Sequence, residues 1–277
     1  MFDVTASDMR AALDTFQIAP DSIIITHSSL KAPGTTENGP HGVIKAIFDT
    51  VPNGTVVFPT LSQKNWGTIY EDWTLDRPSD VGLISETFRK DYATHRSDNA
   101  THSVAAAGKF ADDLTNGHAL PPIRYGLFGD YCFAQNSPWQ RMFDSRERYG
   151  VRAYVLFWGV SMRYNTLKHF SEYRFVEDLL ISIKDDEARK KVRSKLSHYP
   201  YNADSPDFLW PFYSSLDYSE TLENEGILKR AKLGNSELIL CDIYDSVTSV
   251  DRAMRKFPKK MFSEKVLNWI AYAKEFI

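Results

Sequence analysis

His169 and Glu172 are the residues whose types and spacing suggest chemistry most clearly. They lie three positions apart in NTLKHFSEY, residues 165–173, and this spacing puts both side chains on one face of a helix. Apolar residues at helical spacing mark the same face as buried: Tyr173, Val176, Leu179 and Leu180. A buried carboxylate needs a partner, and an imidazole one turn earlier supplies it. The pair therefore predicts a general base with its orienting group, although the same spacing is also typical of a structural pair.

The flanking residues predict where this pair lies in the fold. The apolar run YVLFWGV, residues 154–160, indicates a buried strand just before it. Asn165 or Thr166 can cap the helix that follows, because a side-chain oxygen at that position accepts a backbone N–H of the first turn. We expect the pair at the mouth of a sheet, where a strand ends and a helix begins.

The rest of the chain predicts an α/β fold. A strand over residues 21–30, a Gly- and Pro-rich loop, a helix and a strand over 55–60 form a βαβ order, which favours parallel strands. The other predicted segments are a helix over 7–16, a helix over 80–92, a strand or helix start over 103–114, an irregular aromatic insertion over 199–218, a strand over 237–243 and helices over 250–276. We predict a three-layer α/β/α fold with a largely parallel, mixed central sheet and helical or irregular insertions.

Composition excludes several classes of protein. The 277 residues are 43% hydrophobic, which suits a globular core, and a net charge of −3 gives no support for bulk nucleic-acid binding. Cys132 and Cys241 are too few for a disulfide framework and lack the spacing of metal ligands, so no metal is expected. The chain start does not resemble a signal peptide, and no apolar run approaches the ~20 residues of a membrane span. We expect a cytoplasmic protein without nucleic-acid or membrane partners.

Four sequence blocks, in order, resemble the aminoglycoside 3-N-acetyltransferase family. The first begins with THSSLKAPG at residue 26 and continues to the second strand, and the second is VGLISETFRK, residues 81–90. The third is RSDNATHSVAAAGKFADDL, residues 96–114. The fourth joins NSPWQRMFD, residues 136–144, to the segment that ends in NTLKHFSEY. The resemblance covers most of the chain up to about residue 175.

The resemblance implies an activity and a set of site residues. It implies a single acyl-CoA-dependent N-acyltransferase domain over residues 1–277, with a divergent acceptor-side insertion around 195–235. The co-substrate is acetyl-CoA or another acyl-CoA, and the other partner is a small-molecule amine on a sugar. His169 matches the family's catalytic histidine, Glu172 its carboxylate partner and Thr166 a nearby hydroxyl. The residues that match its coenzyme A contacts are Ser28, Ser29, Leu30, Arg96, Ser103 and Val104.

The residue types agree with these implied contacts. The turn at residues 28–29 follows a predicted parallel strand, and its N–H groups and hydroxyls suit phosphate oxygens. The Ala-rich block at residues 103–104 leaves room for a thin pantetheine arm. The chain departs from the family at residues 99–100, where a proline is common, and at Lys168, where an apolar residue is usual. The role of His102 stays open.

The predicted reaction is direct acyl transfer. Neutral His169 would take a proton from the amine as it attacks the thioester, while Glu172 holds the imidazole in one tautomer. Neither cysteine lies in a nucleophile motif, which favours a single ternary complex. Cationic residues flank the pair and favour a less cationic acceptor, such as a nucleotide-linked amino sugar, over an aminoglycoside: Arg163, Lys168 and Arg174.

Three other classes remain open from the sequence. A serine hydrolase would need a G-x-S-x-G turn, and the segment from Gly159 to Arg163 lacks the second glycine. A metal enzyme would combine the pair with another histidine, such as His27 or His102. A non-catalytic coenzyme A- or sugar-binding protein would keep coenzyme A binding without turnover. The sequence is compatible with an oligomer.

Overall fold

The computed structural model describes residues 2–62, 73–118, 132–195 and 218–277. The strands are β1 Ile23–Ser28, β2 Thr55–Pro59, β3 His95–Arg96, β4 Val104–Gly108, β5 Ala153–Trp158, β6 Lys229–Leu233 and β7 Ser236–Asp242. The helices are α1 Ala6–Asp14, α2 Gly39–Thr50, α3 Leu83–Asp91, α4 Ala111–Thr115, α5 Pro138–Phe143, α6 Ser145–Arg148, α7 Leu167–Ile181, α8 Asp186–Ser194, α9 Ser219–Asn224, α10 Ile243–Lys256, α11 Pro258–Met261 and α12 Glu264–Lys274. Every helix among these residues is too short or too polar to span a bilayer.

One mixed sheet organises the described chain. Its strand order is β3-β4-β2-β1-β5-β7-β6. The central strand β1 pairs in parallel with β2 and with β5, whereas β4, β3, β7 and β6 all join antiparallel to their neighbours. The predicted α/β class with a mixed sheet is confirmed. Among the described strands only β1 with β2 and β1 with β5 pair in parallel, so the sheet is parallel at its centre and not for the most part.

The three layers follow from the alternation of side chains along β1. Ile23 and Ile25 belong to the core on one face of the sheet, and Ile24 belongs to the core on the other face. A strand that is buried on both faces needs a continuous apolar run, and the isoleucines supply it. Helices α1, α2 and α3 cover the face of Ile24, while α5, α7, α10 and α12 cover the opposite face.

Strand direction decides which loops share an edge of the sheet. Because β4 is antiparallel to β2, its first residue, Val104, lies opposite Pro59, the last residue of β2. The carboxyl ends of β1, β2 and β5 therefore meet the residues that precede β4. The predicted segment 103–114 divides into strand β4 and helix α4.

The predicted insertion is only partly within the described residues. Residues 196–217 lie outside them, which covers most of the aromatic segment 199–218. In the described remainder of the range 195–235, α9 and β6 are regular elements, and β6 extends the sheet at its edge. The single domain over residues 1–277 stays a prediction.

Candidate active site

The start of α7 places the predicted pair at the edge of the sheet. A short 3-10 turn, Met162–Tyr164, connects the end of β5 to this helix. Asn165 Oδ1 accepts the backbone N–H of Leu167 at 3.0 Å, which satisfies one of the unpaired donors of the first turn. Thr166 is the N-cap residue and its side chain makes no capping hydrogen bond, so the predicted side-chain hydrogen bond to the first turn comes from Asn165, one residue earlier.

His169 and Glu172 form the predicted pair. The distance from His169 Nδ1 to Glu172 Oε2 is 3.0 Å, and the glutamate side chain is fully buried. The hydroxyl of Tyr218 donates to the other carboxylate oxygen, Oε1, at 3.0 Å. Since an ionised carboxylate only accepts hydrogen bonds, Nδ1 carries the ring hydrogen and Nε2 keeps its lone pair. That tautomer is the one a general base requires.

The surroundings keep the imidazole neutral. Burial lowers the pKa of His169 to about 3, and the nearby Lys168 ammonium contributes in the same direction. The Glu172 carboxylate opposes this shift, because a nearby anion favours the imidazolium. The direction of the net shift means that the ring is unprotonated at neutral pH and ready to accept a proton.

A cleft of about 780 Å³ opens at this edge of the sheet. Carboxyl ends of parallel strands commonly border ligand sites in α/β sheets. The lining includes residues from the ends of β1, β2 and β5 and from the starts of α3 and α7: Thr26, His27, Ser28, Ser29, Pro59, Val81, Gly82, Gly159, Val160, Ser161, Thr166 and His169. Four predicted site residues, Ser28, Ser29, Thr166 and His169, therefore share one cleft, and Glu172 lies behind His169.

The other predicted coenzyme A contacts lie outside this lining. Leu30 packs against the core on the α1–α3 face, and Val104 pairs with Pro59 inside the sheet. Ser103 is fully buried, and its hydroxyl donates to the Thr60 carbonyl at 2.9 Å. Coenzyme A contacts of these residues stay predictions.

Arg96 holds a loop together beside the cleft. Its guanidinium donates to the carbonyls of Thr60 and Leu75, each at 2.7 Å, and to that of Arg77. It also lies 4.7 Å from the ring centroid of Trp73. Burial lowers the pKa of Arg96 to about 10, which leaves the group cationic at neutral pH. These contacts give the residue a structural role that the sequence did not indicate, and its predicted contact with coenzyme A stays untested.

The cationic residues near the pair differ in position. Lys168 is buried in the cleft wall, and its ammonium donates to the Arg163 carbonyl at 2.9 Å. Arg163 also lines the cleft and is exposed, and Asp80 is an acidic member of the same lining. Arg174 lies elsewhere, 4.2 Å from the centroid of the Phe143 ring.

Two histidines that the sequence left open also line the cleft. His27 stacks on Phe157 with ring centroids 5.5 Å apart, and burial lowers the pKa of its ring to about 4. His102 precedes β4, and the antiparallel direction of that strand brings it to the cleft. In the described residues, no group of three or more His, Cys, Asp or Glu side chains is arranged to hold a metal ion.

A sequence model of the aminoglycoside 3-N-acetyltransferase family matches residues 25–255. The chain belongs to the aminoglycoside 3-N-acetyltransferase family. The match contains every predicted site residue and confirms the resemblance of the four sequence blocks. It also agrees with the predicted enzyme class, an acyl-CoA-dependent N-acyltransferase.

Family relatives are distant in sequence. Aminoglycoside N(3)-acetyltransferase III of Pseudomonas aeruginosa is 26% identical over 199 residues, which are 62% of this chain and 66% of that protein. Aminoglycoside N(3)-acetyltransferase IV of a Salmonella species is 30% identical over 107 residues, or 38% of this chain and 40% of that protein. The matched region thus spans less than two thirds of the length of each relative.

Solved structures of the family share the fold over nearly the whole chain. The aminoglycoside acetyltransferase AAC(3)-IVa, in a mutant complex with a gentamicin, has a TM-score of 0.67 at 19% identity and covers 100% of this chain and 99% of its own. The complex of AAC-IIIb with CoASH has a TM-score of 0.64 at 19% identity, with 94% and 98% covered. These likenesses confirm the three-layer α/β architecture.

Proposed function

We propose that this chain transfers an acetyl group from acetyl-CoA to an amine of an amino-sugar acceptor, with His169 as the general base. The observation that carries the proposal is an imidazole, held 3.0 Å from a buried carboxylate, in the wall of a large cleft at the carboxyl edge of a sheet. Family membership supports acetyl transfer, and the coenzyme A complex of a relative supports the co-substrate.

The proposed reaction needs one base and no enzyme nucleophile. The amine must lose a proton to form the amide, and Nε2 of His169 accepts that proton as the nitrogen attacks the thioester carbon. Glu172 stabilises the resulting imidazolium through Nδ1–H, and Tyr218 keeps the carboxylate in place. The hydroxyl of Thr166, at the start of the same helix, is our first candidate for a hydrogen bond to the developing oxyanion.

The coenzyme A side of the cleft combines hydroxyls with a helix start. Ser28 and Ser29 follow β1, and Gly82 is the residue that precedes the first turn of α3. Backbone N–H groups at a helix start are unpaired and favour anions, which suits the phosphates of coenzyme A. We therefore place the thioester between this wall and the first turn of α7.

The charges in the cleft favour an acceptor of low positive charge. Among the described residues of the lining, Arg163 and Lys168 contribute two cationic groups, against one acidic group from Asp80. A nucleotide-linked amino sugar satisfies that balance better than a polycationic aminoglycoside. The second candidate is an aminoglycoside, and the gentamicin and apramycin complexes of a relative favour it.

A panel of acceptors separates the two candidates. Purified protein is given acetyl-CoA with nucleotide-linked amino sugars in one series and aminoglycosides in another, and release of the coenzyme A thiol and the acylated product are measured. We expect acylation of the nucleotide-linked series, with higher kcat/KM than the aminoglycosides. Higher kcat/KM on aminoglycosides would reverse the order of the candidates. Failure to acylate any amine, despite bound acetyl-CoA, would overturn the enzyme proposal and leave a binding protein.

A further inference from the structure

His102 is held by contacts to its backbone and to its ring. Its backbone N–H donates to Asn99 Oδ1 at 2.7 Å, and its carbonyl accepts from Trp139 Nε1 at 3.2 Å. The ring meets Phe133 edge-on, with centroids 4.8 Å apart, and Nδ1 lies 2.9 Å from Thr101 Oγ1. Both ends of the residue and one side of the ring are therefore fixed, while the ring borders the cleft.

The hydrogen bond with Thr101 indicates the tautomer of this ring. Asn99 Oδ1 already accepts two backbone N–H groups, those of Thr101 at 3.1 Å and His102 at 2.7 Å, which occupy its two lone pairs. The Thr101 hydroxyl lies farther from that oxygen, at 3.3 Å, than from Nδ1 of His102. The hydroxyl also lies 3.2 Å from Cys132 Sγ. We assign it as the donor to Nδ1, which places the ring hydrogen on Nε2, and Nε2 makes no hydrogen bond with the described residues.

His102 and His169 are neighbours with complementary ring nitrogens. Burial lowers the pKa of His102 well below its ordinary value, and His169 is near enough to lower it further. His102 is thus neutral, and in the assigned tautomer its Nε2 is a donor. His169 lines the same cleft, with its Nδ1 committed to Glu172. A neutral imidazole polarises a carbonyl without adding a charge that would repel the amine or protonate the base.

We propose that His102 Nε2–H donates a hydrogen bond to the carbonyl oxygen of the thioester and stabilises the oxyanion that forms there. This inference rests on the proposed acyl transfer. The amine lone pair forms the new C–N bond, the carbonyl π electrons move to oxygen, and His169 takes the amine proton. When the carbonyl re-forms, the C–S bond breaks and the thiolate leaves with that proton as CoASH. The hydrogen on His102 stays on Nε2 throughout.

The direct test measures the carbonyl chemical shift of acetyl-CoA that is bound in the absence of an acceptor. Acetyl-CoA labelled with ¹³C at the carbonyl is bound to the wild-type protein and to His102→Phe and His102→Gln, and its chemical shift is recorded by NMR. We expect a downfield shift in the wild type, loss of that shift in His102→Phe, and partial retention in His102→Gln, whose amide is still a donor. Acetyl-CoA Kd and a cooperative melt confirm that each variant is folded.

Turnover gives the second readout. Loss of one donor to an oxyanion lowers kcat by about 10²–10³-fold, which is the effect expected for His102→Phe with little change in acceptor KM. Thr101→Val should lower kcat less, because it removes the hydroxyl that sets the tautomer. Thr101→Ser keeps that hydroxyl and should lose less of kcat than Thr101→Val.

Two results would overturn the assignment. One is an unchanged carbonyl shift in folded His102→Phe that still binds acetyl-CoA. The other is a raised acceptor KM with kcat unaltered, which would put His102 against the acceptor. Either result leaves the proposed function intact if the wild type acylates an amine, whereas a wild-type protein without acyl transfer would remove the function and this inference together.

Discussion

His169 and His118 are two imidazoles in contrasting regions of the molecule: the His118 side chain is buried, whereas that of His169 is 17% exposed. Burial is the main cause of a lowered pKa in both, to about 3 for His169 and to about 4 for His118. His118 lies 2.8 Å from Ser97 Oγ through Nδ1 and 2.9 Å from the Cys132 carbonyl through Nε2. His169 instead lies against a carboxylate and lines the cleft.

The contrast shows that a lowered pKa does not by itself identify a catalytic residue. Desolvation shifts both rings in the same direction, so the shift alone does not distinguish a base from a structural bridge. The distinction comes from what each nitrogen faces. Both nitrogens of His118 are occupied by protein atoms, whereas His169 has a cleft large enough for a substrate beside it.

The largest expected effect is on turnover after loss of the proposed base. His169→Gln should lower kcat by about 10²–10⁴-fold, because the amine proton then lacks its acceptor. Acetyl-CoA Kd, measured by calorimetry, should stay close to that of the wild type. His118→Gln is the matched control, with kcat per folded molecule unaltered. Near-normal turnover in His169→Gln would remove the base from the proposal.

Glu172→Gln should have the next largest effect on turnover. The carboxylate stabilises the imidazolium by a charged hydrogen bond worth about 1.5–3 kcal/mol, so kcat should fall roughly ten- to a hundredfold. The neutral amide keeps the volume and the contact with Tyr218, which limits disruption of the fold. Steady-state rates on the best acceptor measure the loss. An unchanged kcat would contradict the stabilisation of the imidazolium by Glu172.

His118→Leu should lower the free energy of unfolding and leave kcat unchanged. The substitution removes the partner of Ser97 Oγ and of the Cys132 carbonyl, both in a buried setting. An unsatisfied buried group costs about 1–3 kcal/mol, which is the expected drop in the free energy of unfolding. Urea denaturation at pH 7 measures it. A variant as stable as the wild type, yet slow in turnover, would show that His118 has a catalytic role and not a structural one.

The last expected effect, comparable in size, is a loss of stability in weak acid. The pKa of His118 is about 4 when folded against 6.5 as the ordinary value. Between those pH values the unfolded chain binds the proton and the folded chain does not, so stability falls as pH decreases from 6.5 towards 4. At pH 5 the loss from this one group is about 2 kcal/mol. Urea midpoints at pH 7 and pH 5, compared between wild type and His118→Gln, measure this loss of stability. An equal pH dependence in both proteins would exclude His118 as its source.

Local spacing determined the contacts beside the cleft that the sequence predicted. The pair at positions 169 and 172 follows from helix geometry, and the cap at Asn165 follows from side-chain chemistry just before the first turn. The apolar runs of β1, β2 and β5 likewise predict buried strands before the fold is known. Each of these inferences depends on residues only a few positions apart.

Tertiary structure alone decided the contacts between distant segments. An apolar run does not indicate whether its strand is parallel or antiparallel to its neighbours. The antiparallel direction of β4, and with it the position of His102, therefore could not be predicted from the sequence. The contact of Tyr218 with Glu172 joins residues 46 positions apart, and Arg96 reaches carbonyls in a loop about twenty residues earlier. Such contacts depend on how the sheet orders its strands, which is set by the packing of both cores together and not by any one segment.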